Sequence, residues 1–178
     1  MEAKHTAHSL SLRYVALEDR IEWLSHCENN RVVSAWVSRR LLVSLLPRLA
    51  QWLDSAGERQ SDTHNNARTV TEKKHIHRFD HDIAQRQVKS VKGSLPKTYK
   101  SEQFLLRHLE FKTTKAGVII GLAAEKKCIV VAFSASLPEL HKVIGELLRI
   151  SADAGWGINN PWHSIGVDGL QVNTTAVH

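Results

Sequence analysis

The chain has 178 residues, 42% of them hydrophobic, and carries 24 Lys and Arg against 18 Asp and Glu, a net charge of +6. That length supports one core or two small joined halves. No stretch approaches the roughly 18 apolar residues of a membrane-spanning helix, and the opening MEAKHTAHSL lacks the apolar run of a signal peptide. Two cysteines, Cys27 and Cys128, without a CxxC pair, argue against a disulfide scaffold or a structural zinc centre. The expectation is a soluble cytoplasmic protein with no cofactor and no membrane partner.

In chain order, Leu10, Leu12 and Tyr14 alternate with Ser9, Ser11 and Arg13, and Ile21, Trp23 and Ser25 alternate with Glu22, Leu24 and His26. Period two predicts strands. A third strand, RVVSAWV, follows Glu28-Asn29-Asn30-Arg31, a hairpin turn by its asparagines, which tolerate positive φ. Ser38 then stands where a helix N-cap belongs. Leu42, Leu45, Leu46 and Leu49 fall at i, i+3, i+4, i+7, the apolar stripe of an amphipathic helix that Gly57 would stop. Pro47 sits inside it and predicts a kink. Asp19, Glu22 and the later Asp153 read as surface carboxylates, and both cysteines as small buried side chains.

From Glu58 to Lys100 polar residues dominate, and ten basic against five acidic side chains place +5 of the net charge in this connector. Ile76, Phe79, Ile83 and Gln87 or Val88 fall at helical spacing, predicting a helix over about 71–90. His77 and His81 share one face of it with Asp80. An i, i+4 histidine pair suits a metal, but no glutamate lies within the pair and no third ligand is evident, so the expectation is a solvated polar face opposite Ile76, Phe79 and Ile83. Arg86, Lys89, Lys92, Lys97 and Lys100 follow with no acidic residue between Asp82 and Glu102. Spaced cations suit phosphates through counterion release, and equally a solvated linker.

The second half reads FLLRHLEFKTT, GVIIGLAA and CIVVAFSA, three more strands, with Gly117 and Gly121 allowing close packing. Ser136 with Glu139 is a capping box, and Leu140, Val143, Ile144 and Leu147 repeat the helical stripe up to Gly155. Val32-Val33 match Val130-Val131 at a distance of 98 positions, and both halves span 19 residues from cap serine to glycine. The tail after Gly155 holds Trp156 and Trp162 and, across Asp168-Gly169, the signal of a β-hairpin. The two tryptophans either pack back on the domain or dock a partner.

These signals give an α+β fold, a tandem pseudo-twofold duplication of a β-β-β-α unit. The units span 8–57 and 101–156 of a single domain 1–178, with the connector at 58–100 and the tail at 157–178. One such unit cannot bury its apolar face alone, so the two pair, as a continuous sheet or as two packed sheets with both helices on one side. In topology the arrangement resembles the β-sheet-plus-helix single-stranded-DNA binders that include the Whirly proteins and the coactivator positive cofactor four. Those folds place four strands before each helix where three are counted here, and their signature sequences are absent, so the resemblance implies no site residues.

Catalytic signatures are missing: there is no GxxxxGK[ST], no GxGxxG after a strand and no GxSxG. The expectation is a non-enzymatic binding module for single-stranded DNA or RNA. The connector cations would supply affinity, and Trp23 and Trp36, with His26 or Arg31 on the same sheet, stacking. The alternative is an adaptor or assembly subunit, binding a protein partner or a second copy of itself through the tail tryptophans and open sheet edges.

Overall fold

A computed structural model describes residues 2–60, 70–87, 100–115, 117–126 and 128–161. Among these residues the elements run β1 (Ala3–Val15), β2 (Arg20–Cys27), β3 (Arg31–Ser38), α1 (Arg39–Gln60), α2 (Val70–Gln87), β4 (Lys100–Leu105), β5 (His108–Thr114), β6 (Gly117–Glu125), β7 (Cys128–Ala135) and α3 (Leu137–Asp153). The fold is mixed α+β, built on one seven-stranded sheet in the order β4-β3-β2-β1-β7-β6-β5.

Local chemistry accounts for most element boundaries. Asn29 and Asn30 take φ values of 57° and 54°, the positive pair that a tight hairpin between β2 and β3 requires. The Ser38 hydroxyl accepts from the Leu41 amide at 3.3 Å and caps α1. The Ser136 hydroxyl accepts from the Glu139 amide, and the Glu139 carboxylate accepts from the Ser136 amide at 2.8 Å, a complete capping box. Gly155 closes α3 at φ +69°. Gly57 does not end α1, which continues to Gln60.

The two meanders β1-β2-β3 and β5-β6-β7 are antiparallel inside and are joined by parallel pairings. Residues Ala3–Ala7 of β1 run parallel to Ile129–Phe133 of β7, and after a bulge at His8 the strand pairs with β2. Lys100–Leu105 run parallel to Arg31–Trp36, and the chain then passes to β6. The expected single strand FLLRHLEFKTT is thus two strands, β4 and β5, at opposite ends of the sheet order with only Leu106 and Arg107 between them. The sheet therefore curls until its ends meet. Glu102 on β4 reinforces the closure, binding Lys4 Nζ at 2.7 Å and His5 Nε2 at 3.1 Å from the start of β1. The Lys4 hydrogen bond, ahead of the opposing effect of burial, holds the Glu102 carboxyl below its ordinary range.

The core lies between one face of this sheet and the helix stripes. Ile21, Trp23, Val33, Ala35, Ile120, Leu122, Val131 and Phe133 pack against Leu42, Leu46 and Leu49 of α1 and Leu140, Ile144 and Leu147 of α3. Burying each large aliphatic side chain contributes about 1.5–3 kcal/mol. Leu24, Val32 and Ser34 on the other face are buried as well, so the middle of the sheet is closed on both sides. At Gly117, with φ +152°, an added Cβ would overlap the Ala135 carbonyl oxygen and lie 3.1 Å from Ser136 Cα. The glycine permits this approach of β6 to β7, as its place in the strand suggests.

Three expectations change at this level. Glu22 is buried, bound by Arg13 Nε at 2.5 Å and by the Ser34 hydroxyl at 2.7 Å, and is no surface carboxylate. Cys128 is exposed at the start of β7, while Cys27 is buried. Helix α2 packs on α3 through His81 and Ala84, leaving Phe79 65% exposed, so His81 is turned inward where a solvated position was expected. No helix among the described residues is long and apolar enough to cross a membrane.

Candidate nucleic-acid interface

The crossover between β4 and β5 ties two strands together through consecutive backbone amides. The Leu106 amide donates to the Trp36 carbonyl of β3 at 3.0 Å, and the next amide, of Arg107, donates to the Ala123 carbonyl of β6 at 3.0 Å. Two consecutive residues thus serve two different strands. The backbone must turn between them, and Arg107 is left exposed while Leu106 is buried. Leu105, the β4 partner of Trp36, is 42% exposed, and the Trp36 side chain is half-buried.

Two residues after Leu105, Arg107 lines a cleft of about 580 Å³ together with His108, Glu125 and Lys126. The β6–β7 turn supplies Glu125 and Lys126, and the crossover supplies Arg107 and His108. His108 Nε2 lies 3.6 Å from Glu110 Oε1. Arg107 and Lys126 are exposed cations of the kind that hold a phosphate, and the Glu125 carboxylate lies in the same cleft.

The Trp36 face of β1 and β2 is polar. Glu22 pairs across the strands with Trp36 and carries the Arg13 and Ser34 contacts. Ser11 Oγ lies 3.0 Å from His26 Nε2, and burial, then the nearby His8, holds the His26 imidazole below its ordinary pKa. A serine–histidine contact becomes catalytic only with an orienting acid and oxyanion donors; this one ties β1 to β2.

The sequence-derived candidates divide sharply. Trp36 lies at the seam. Trp23 is 2% exposed, its ring 5.7 Å from that of Phe133, and core packing removes it from any stacking role. Trp156 is 2% exposed, donates its indole N–H to Asp19 Oδ1 at 2.7 Å and meets the Tyr14 ring edge-on, so it is a core residue and no docking surface. Those bonds, the indole's first and the Tyr14 hydroxyl's second, hold the Asp19 carboxyl below its ordinary range. Arg31 is half-buried, 4.0 Å from Glu102. Arg86 is exposed on the last turn of α2, and Lys100 opens β4 opposite Arg31. Lys89, Lys92, Lys97, Trp162 and the expected tail hairpin lie outside the described residues. His77 occupies α2 one turn before the buried His81. Among the described residues no three metal-ligating side chains gather in one place.

Sequence reasoning missed Leu105, Arg107, His108 and Lys126. The signal was Phe104-Leu105-Leu106, three apolar residues in a row where a strand with one wet face alternates. Comparison with protein-family models, with curated proteins and with solved structures returned no match to this chain.

Proposed function

We propose that this protein is a non-catalytic binding module for single-stranded DNA or RNA, held largely through the backbone phosphates. The observation that carries the reading is the crossover seam, where Trp36 and the exposed Leu105 pair across β3 and β4 and the chain runs on to Arg107, which lines a cleft together with Lys126. Bases stack on aromatic rings irrespective of sequence, and cations neutralise phosphates. The connector, with +5 of the net charge, enters the sheet at Lys100, five residues before Leu105, and adds affinity to the same ligand. We place the protein in the cytoplasm, where both of its cysteines stay reduced.

The two β-β-β-α units are, in this reading, duplicated copies. In support, β1 of the first unit and β4 with β5 of the second play the same part. Each pairs in parallel with the last strand of the other unit, then antiparallel with the next strand of its own.

The test is a fluorescence titration with mixed-sequence single-stranded oligonucleotides at several salt concentrations. Trp36→Ala removes one stacking platform worth about 1–3 kcal/mol, a loss of roughly 5- to 150-fold in affinity. The pair Arg107→Gln with Lys126→Gln, and separately Lys89, Lys92, Lys97 and Lys100→Gln, lower the salt slope by about 0.7 for each phosphate contact removed. No binding by the wild type at low salt refutes the reading. Equal affinity and slope in the connector variant confine binding to the seam. A second reading has its own support: Phe79 and Ile76 lie exposed on α2 and fit an adaptor that docks a protein. That binding would hardly respond to salt.

A further inference from the structure

We infer that the protein prefers RNA to DNA, and that Glu125 sets the preference by accepting a hydrogen bond from a ribose 2′-hydroxyl. The inference rests on the nucleic-acid reading above and deepens it. The cleft at the crossover is lined by two cations, Arg107 and Lys126, with His108 and one carboxylate, Glu125, among them. Its volume of about 580 Å³ lies inside the range of about 300–1,000 Å³ that takes a small ligand, here one sugar–phosphate unit of a strand. The backbone places these groups. Glu125 ends β6 and pairs with Cys128 at the start of β7, so the turn fixes where the carboxylate stands. The Arg107 amide donates to the carbonyl of Ala123, two residues before Glu125, which brings cation and carboxylate to one end of the β5–β6 pair.

A carboxylate in a cleft that takes a polyanion needs a reason. Ionised phosphate and carboxylate oxygens only accept hydrogen bonds, so Glu125 repels any ligand that offers phosphates alone. The repulsion is offset when the ligand brings a donor to it. In the repeating backbone of a nucleic acid that donor is the 2′-hydroxyl of ribose, which DNA lacks. Base amino groups also donate, but they change with sequence, whereas an RNA strand presents a 2′-hydroxyl at every nucleotide. Arg107 and Lys126 then take the phosphate and Glu125 the adjoining hydroxyl, a division that DNA cannot satisfy. Glu110, the neighbouring carboxylate on β5, faces His108 instead, with Oε1 3.6 Å from its Nε2.

The experiment measures fluorescence anisotropy of the full chain with labelled single strands of one mixed sequence, made as RNA, as DNA and as 2′-fluoro RNA. The last keeps the sugar shape of RNA and has no 2′ donor. Wild type should bind RNA about 3- to 10-fold more tightly than either of the others, the effect of one exposed hydrogen bond to a charged group. Glu125→Ala should bring the three within about twofold of one another, chiefly by tightening DNA. Glu18→Ala, which removes an exposed carboxylate from the β1–β2 turn, controls for loss of charge and should keep the wild-type ratio. Equal binding of RNA and 2′-fluoro RNA by wild type, a comparison that needs no variant, overturns the inference. So does a ratio that Glu125→Ala leaves unchanged. Either result leaves the nucleic-acid reading standing, whereas binding of none of the three strands at low salt removes both.

Discussion

Replacing Gly117 with alanine tests the register of the second meander at one atom. Gly117 holds φ +152°, a region in which side-chain-bearing residues carry strain of order 1–3 kcal/mol. Its added methyl would also overlap the Ala135 carbonyl oxygen, a backbone atom that cannot rotate away. Overpacking of this kind costs a further 1–3 kcal/mol or so. The combined loss is about 2–6 kcal/mol, against a typical total stability of roughly 5–15 kcal/mol. Gly155→Ala is the matched control, because φ is +69° there and nothing lies within 4 Å of where its methyl would stand. It should cost only the conformational part, about 1–2 kcal/mol. Urea unfolding of the two variants beside wild type separates close approach from backbone strain. At roughly 2–4 °C per kcal/mol for a chain of this size, Gly117→Ala should also melt about 4–24 °C lower than wild type. A Gly117→Ala loss no larger than that of Gly155→Ala would refute the proximity of β6 to the end of β7.

Leu46→Ala and Ile144→Ala, each at a fully buried position of a helix stripe, should lower unfolding free energy by about 2–5 kcal/mol in chemical denaturation, and changes near zero at both would misplace the core. Expressed separately, residues 1–58 and 101–178 should fail to melt cooperatively, since each loses the parallel pairings β1–β7 and β3–β4; two cooperative transitions by calorimetry would contradict this. The carboxyls of Asp19 and Glu102 are both held low, so the stability they contribute is complete above the unfolded carboxylate range near pH 4–4.5 and is lost as pH falls through their folded values. Glu102→Gln should accordingly flatten the acid limb of a stability-versus-pH curve, and an unchanged limb would rule out the clasp to Lys4.

Local signals fixed the elements of this protein because their physics is local. Whether Ser136 and Glu139 can cap α3, whether Asn29 and Asn30 can take positive φ, and whether Leu42, Leu46 and Leu49 share one face are decided within a few residues of chain, and all three stand in the structure. A period of two states which side chains share a face of a strand, and nothing about which strand lies alongside. The parallel pairings of β1 with β7 and of β3 with β4, and the break at Leu106 that they impose, were therefore beyond the reach of the sequence. So was the seam, whose residues come from β3, the β4–β5 crossover and the β6–β7 turn. The inward face of α2 was decided at the same level. Its own periodicity favours burying Phe79, while the partner helix α3 presents His141, and the packing against that partner turned His81 inward. Trp23 and Trp156 carry the same lesson: an aromatic ring looks alike in sequence whether it stacks on a ligand or fills a core, and only the neighbours supplied by the folded chain separate the two.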